Sequence, residues 1–217
     1  MDFAAARKIM VDSQIRPNDV TDPDIVRAFM TVPREAFLPA SKQSIAYSEM
    51  EITTGEARAM WLPRDLAKMV KALDPKPSDI AMVIGAGSGY ACAVLAELTE
   101  TVLAVEDSGD EVDRLAERMV AQGYDQVAAI EAPLTEGLPG EGPFDIIFIN
   151  GMVEEVPKAL TDQLAEGGRL GAVCKLDSAL GRARVYSRHG DAVSFRDVFE
   201  ATPPEFTAFR KPKVFTF

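Results

Sequence analysis

Ile80-Ala81-Met82-Val83-Ile84-Gly85-Ala86-Gly87-Ser88-Gly89-Tyr90 is the stretch that decides how this chain folds. Five consecutive apolar residues read as a strand buried on both faces, the mark of a parallel sheet. Three glycines follow at alternate positions, and a helical pattern runs over 88–98. Glycine lets a backbone approach a ligand without a Cβ clash. The helix that follows offers free N–H groups at its start. A dinucleotide fingerprint spaces its glycines G-x-G-x-x-G, so that a pyrophosphate can lie against the helix. Here the third glycine comes one residue early, and Tyr90 stands where that fingerprint would put it. The spacing G-x-G-x-G suits a nucleoside that has no pyrophosphate. A plain glycine turn is the alternative reading.

Downstream, strands and helices alternate. The pattern predicts strands over 102–105, 127–130, 144–150 and 169–174, and helices over 111–122 and 155–164, the last ended by Gly167-Gly168. Such alternation implies a doubly wound α/β sheet covered on both faces. Residues 182–188 and 192–199, joined by His189-Gly190-Asp191, read as a hairpin. Residues 213–217 alternate weakly, as a last strand would. Upstream, Pro75-Lys76-Pro77-Ser78 is a hinge, which divides a helical extension over 1–74 from a ligand-binding domain over 75–217. The extension has helical periodicity over 3–15, 24–31 and 63–73, with 33–62 irregular.

The glycine turn gains meaning from Glu106. It ends the strand Thr101-Val102-Leu103-Ala104-Val105, beside the turn at the carboxyl edge of the sheet, where ligands of open α/β sheets sit. A carboxylate there can accept both hydroxyls of a ribose. Asp107 competes for that role, but side chains alternate along a strand and Glu106 is preferred. Strand, glycine turn, helix, strand and terminal acid together point to S-adenosylmethionine (SAM). The candidate cofactor-binding residues are Gly85, Ala86, Gly87, Ser88, Gly89, Tyr90 and Glu106, with Asn150 at the end of a later strand.

Composition narrows the field. The chain has 217 residues and a formal net charge of −11. Nucleic-acid binders carry a basic face, and none is visible, so neither nucleic acid nor an anionic membrane is an expected partner. The N-terminus has no secretory h-region and no apolar run reaches membrane-spanning length, which makes the cytoplasm the expected compartment. Cys92 and Cys174 match no metal spacing, and the single histidine, His189, reads as exposed. No metal is expected, and no catalytic acid or base is assigned.

Several segments resemble the protein-L-isoaspartate O-methyltransferase family. Met10-Val11-Asp12-Ser13-Gln14-Ile15-Arg16 resembles its opening helix. Val32-Pro33-Arg34-Glu35-Ala36-Phe37-Leu38-Pro39 is similar to its V-P-R-x-x-F-V-P segment. Residues 84–90 match its I-G-x-G-S-G-Y loop, and Val105-Glu106 its V-E. Pro143-Phe144-Asp145 and the run from Val156 to Leu170 match its P-Y-D and I-P-x-x-L-x-x-Q-L-x-x-G-G-x-L patterns. The resemblance implies a seven-stranded, mostly parallel, Rossmann-like sheet with N-terminal helices over the site. It implies methyl transfer from SAM to the carboxylate of an isoaspartyl residue in a damaged protein.

Two departures bear on the activity. The family's T-I-S-Q-P-like segment, whose hydroxyls contact the substrate carboxylate, aligns with Ala59-Met60-Trp61-Leu62-Pro63. Ala59 replaces the threonine and Trp61 the serine. The family's G-D-G after the third strand, whose acid reaches the adenine, aligns with Ala132-Pro133-Leu134, with Glu131 as a substitute acid. Three functions therefore stand as expectations. The first is isoaspartyl methylation with the clamp rebuilt from donors such as Thr53, Thr54 or Arg58. The second is methylation of a small molecule stacked on Trp61 and Met60. The third is a protein that binds SAM or its demethylated product without turnover.

Overall fold

The computed structural model describes residues 1–55, 58–176 and 180–211. Its centre is the strand β3 (Ile80–Ile84), flanked by β4 (Thr101–Glu106) and β6 (Phe144–Val153), both parallel to it. With β5 (Val127–Glu131), β7 (Leu164–Lys175), β8 (Gly181–His189) and β9 (Ala192–Ala201) they form one seven-stranded sheet of order β5-β4-β3-β6-β7-β8-β9. The first five strands are parallel; β8 and β9 turn back as an antiparallel hairpin. Residues 213–217 lie outside the described residues.

Alternation along β3 sends Ala81 and Val83 to one face and Met82 and Ile84 to the other, and each face has its own core. On the first lie α3 (Pro63–Leu73), α4 (Tyr90–Ala96) and α5 (Gly109–Gln122), together with the N-terminal segment. Leu66, Met69, Val70 and Leu73 recur at helical spacing and are all buried on this face. The N-terminal helices α1 (Phe3–Met10) and α2 (Pro23–Thr31) add Met10, Ile25 and Phe29 to the same core. The second face is covered by the short helix α6 (Lys158–Thr161), by Leu134 and Leu138, and by Phe206 and Phe209 from the segment after β9.

Several boundaries differ from the sequence reading. The α-helix expected over 3–15 is α-helical only to Met10 and continues as a wide π turn over Val11–Ile15. Residues 33–62 contain a small antiparallel hairpin, β1 (Ile52–Gly55) with β2 (Arg58–Met60). The largest correction is the helix expected over 155–164. Pro157 caps the start of a single turn, and Leu164 already pairs with Phe144 as the first residue of β7. Gly167-Gly168 therefore ends no helix; it makes an irregularity inside β7, with Gly167 in the left-handed region at φ +73°.

Candidate active site at the carboxyl edge of the sheet

The glycine turn leaves β3 with Gly85, Gly87 and Gly89 all left-handed, at φ +68°, +59° and +83°. An L side chain rarely adopts such angles, so this path needs glycine at all three places. The Gly85 N–H donates to the Val105 carbonyl at 2.9 Å, which ties the turn to β4. Ala86 and Ser88 are buried within it. Asn150, inside β6, donates from Nδ2 to the Gly85 carbonyl at 3.1 Å and holds the turn from the other side.

Glu106 ends β4 with its side chain fully buried, whereas Asp107 is half exposed. Glu106 Oε1 accepts the Gly87 N–H at 2.5 Å. The rest of its carboxylate is taken by Arg58, whose Nη2 donates to Oε2 at 2.8 Å and whose Nε lies 3.2 Å from the same oxygen. Arg58 Nη2 also reaches Asp107 at 3.1 Å. Burial opposes the arginine's charge, but the hydrogen bonds and charge of Glu106 outweigh it and raise its pKa. Arg58 was expected on the acceptor side. It sits on the carboxylate expected to take the ribose and also lines the cavity beside Gly87.

Phe206 closes the remaining space. The segment after β9 forms a one-residue parallel bridge with β6: the Met152 N–H donates to the Pro204 carbonyl at 2.9 Å, and the Phe206 N–H to the Met152 carbonyl at 2.8 Å. That places the Phe206 ring over the sheet edge. A Cβ built on Gly151 would meet the ring at 2.8 Å, and one on Gly85 would meet it at 2.6 Å from Cε2. The Arg58 guanidinium lies 4.7 Å from the ring centroid, a cation–π contact. The backbone is thus that of a nucleoside cradle, but the protein's own side chains fill it. In this conformation Arg58 engages the Glu106 carboxylate and the Phe206 ring lies over Gly85.

The other predicted residues fall on either side. A cavity of about 290 Å³ next to Gly87 is lined by Phe37, Thr54, Arg58, Ser88, Arg114 and Arg118, among others. Arg118 donates to the Ser88 carbonyl at 2.9 Å, and Arg114 pairs with Glu111 at 3.0 Å. Thr54 Oγ1 is buried without a hydrogen-bond partner among the described residues. Thr53 is exposed, and its carbonyl accepts from Lys42 Nζ at 2.5 Å. A second, open cavity of about 610 Å³ is lined by Asp107, Glu131, Pro133 and Ala208. Glu131 stands level with Glu106 in the β4–β5 register. Neither cavity is lined by Gly85, Glu106 or Asn150.

Two expectations are corrected. The Tyr90 ring is 1% exposed and belongs to the core, edge-on to Phe29 and Phe37, with the buried Arg34 guanidinium 4.8 Å above it. It is a packing residue because α4 turns it away from the sheet edge. Trp61 is 2% exposed, packs edge-on against Phe148 and donates from Nε1 to the Asn150 carbonyl at 3.3 Å. It offers no face on which an acceptor could stack, and Met60 is equally buried. Sequence reasoning missed Phe206, Arg114 and Arg118. The last two sit one turn apart on α5, whose charged face reads as solvated; Phe206 follows Pro203-Pro204 in a segment without periodicity.

Comparison with known proteins places this geometry. The profile of the protein-L-isoaspartate(D-aspartate) O-methyltransferase family matches residues 5–201. The chain is 37% identical over 170 residues to a protein-L-isoaspartate O-methyltransferase from Roseiflexus sp. (strain RS-1), covering 78% of each. It is 35% identical over 164 residues to the enzyme of that name from Methanoculleus marisnigri, covering 76% of this chain and 74% of the relative. Among solved structures, one protein-L-isoaspartate O-methyltransferase superposes with a TM-score of 0.82 at 24% identity, over 92% of this chain and 65% of the other. Another, from Plasmodium falciparum and in complex with S-adenosyl-L-homocysteine, superposes at 0.79 and 19% identity, over 96% and 99%.

Proposed function

This chain belongs to the protein-L-isoaspartate O-methyltransferase family, and from that premise we propose that it transfers a methyl group to a carboxylate, with isoaspartyl residues of proteins as the acceptor. The cofactor of the family is SAM, which supplies the methyl group on a sulfonium. The observation that carries the reading is the cradle itself: three left-handed glycines tied to β4 and a fully buried Glu106 at its end.

An acceptor carboxylate is ionised at neutral pH and needs no general base. What it needs is a cationic, donor-rich place to lie. The cavity beside Gly87 offers Arg114 and Arg118 on its wall, the former paired with Glu111, and Thr54, whose hydroxyl has no hydrogen-bond partner among the described residues. Thr54 takes over the part that Ala59 and Trp61 have given up. The buried Trp61 removes support from a small aromatic acceptor stacked on it. Proteins inside the cytoplasm are the proposed setting; among the described residues no helix is long and apolar enough to cross a membrane.

The test is transfer of a labelled methyl group from SAM to a peptide that contains one isoaspartyl residue, beside the same peptide with ordinary aspartate. Label on the first alone is the expected result. Label on neither, at saturating SAM and with the cofactor shown to be bound, overturns the proposed acceptor.

A further inference from the structure

We propose that Arg58 and Phe206 form a latch across the cofactor crevice, so that the resting chain admits SAM only after the guanidinium leaves Glu106 and the segment after β9 withdraws. The inference rests on the methyltransferase reading above and concerns how that site is kept closed.

Three independent contacts converge on the crevice. Arg58 occupies both oxygens of Glu106, with Nε 3.3 Å from Oε1 and Nη2 2.8 Å from Oε2. Phe206, 1% exposed, fills the room over Gly85 and Gly151. The two side chains then stack on one another at 4.7 Å. The residues that a bound nucleoside would need are thus engaged from two distant parts of the sequence at once.

The pairing is hard to displace by neutral groups. A buried carboxylate bonded by a guanidinium fork makes charge-assisted hydrogen bonds, about twice as strong as neutral ones. Ribose hydroxyls would have to replace that fork, and an unpaired buried carboxylate is costly in the interval. Phe206 is equally well fastened. Its segment is bridged to Met152, Glu205 is bonded by Lys175 at 2.5 Å and by Arg210 at 2.9 Å, and the Lys211 N–H donates to Glu154 at 2.8 Å.

Phe206 lies beyond Ala201, where the match to the family profile ends, whereas Arg58 lies within that match. Arg58 lies on the hairpin β1–β2, which also carries Thr54 to the acceptor-side cavity. An acceptor that shifts the hairpin therefore shifts Arg58 with it, which links the two sites through one small element.

The test is calorimetric titration of S-adenosyl-L-homocysteine into the full chain and into Arg58→Ala, Phe206→Ala and Glu205→Gln, each first shown to fold by circular dichroism. A closed resting state lowers apparent affinity by the fraction of molecules that are open, so release of the latch should tighten binding by about tenfold or more in Arg58→Ala and Phe206→Ala. Phe206→Ala also removes core packing and Arg58→Ala exposes Glu106; Glu205→Gln, outside the apolar core, loosens the same segment and carries the test should those two not fold. Tighter binding in any folded variant supports the latch. Equal affinity in the parent and every folded variant, or no binding by any of them, overturns it, and the second of these marks a family member that has lost its cofactor. Isoaspartyl-peptide methylation is then read separately: tighter binding without transfer leaves the latch standing and removes the proposed acceptor.

Discussion

Trp61 shows how one residue can carry two opposite readings. In the sequence it stands where the family has a small hydroxyl, which suggests a blocked acceptor site. In the fold it is core, with its ring on Phe148 and its N–H on the Asn150 carbonyl. Trp61→Ser should therefore cost about 3–5 kcal/mol of stability, as large-to-small core changes do. It should not raise isoaspartyl methylation; urea unfolding beside the peptide assay checks both. Thr54 makes the contrary case. Its buried hydroxyl has no partner among the described residues, so Thr54→Val should leave the melting temperature unchanged or slightly higher. The same exchange should raise KM for the peptide severalfold while affinity for S-adenosyl-L-homocysteine holds. Residue types alone could not separate these two, because burial depends on what the rest of the chain packs around each.

At the scale of elements, the parts with a strong local signal were readable. Apolar runs marked β3 and β6, and helical spacing marked α3. The start of α2 is capped by Asp22, which accepts the N–H groups of Asp24 and Ile25 at 2.9 and 3.1 Å. Asp22→Ala should cost about 1 kcal/mol, read as a lower urea midpoint with an unchanged slope. The helix expected over 155–164 failed because Leu160 and Leu164, at helical spacing, serve different elements. Leu164 is drawn into β7 by its pairing with Phe144, a partner 20 positions earlier that no local pattern reveals. The site divides in the same way. Gly85 to Gly89 and Glu106 meet through two adjacent strands, which spacing can predict. Arg58 reaches Glu106 from 48 residues away, and Phe206 arrives from beyond the hairpin.

The molecule as a whole carries a net charge of −11, and its response to pH depends on which acids are held unfavourably. Glu51 is one. Burial, with the charge of Asp65 beside it, pushes its carboxyl up from an ordinary 4.5 to about 6. The folded state thus binds that proton more readily than the unfolded one. The group's contribution is most favourable below 4.5 and is lost as pH rises through about 6. Glu51→Gln should accordingly raise the melting temperature at about pH 7.5, and the gain should vanish near pH 4. Equal melting temperatures of the two proteins at both pH values would show that the carboxyl is no burden.

The two faces of the sheet each bury one thiol, Cys92 among the helices of the first core and Cys174 in the core that includes Phe206. Burial pushes both thiols above their usual range, so neither reacts while its layer stays shut. The protein therefore contains a pair of built-in clocks. Timed alkylation, read site by site in a mass spectrometer, should give two separate rates, one for each layer's breathing. Anything that pulls the last segment away from the sheet should quicken the Cys174 clock and leave that of Cys92 running at its own pace.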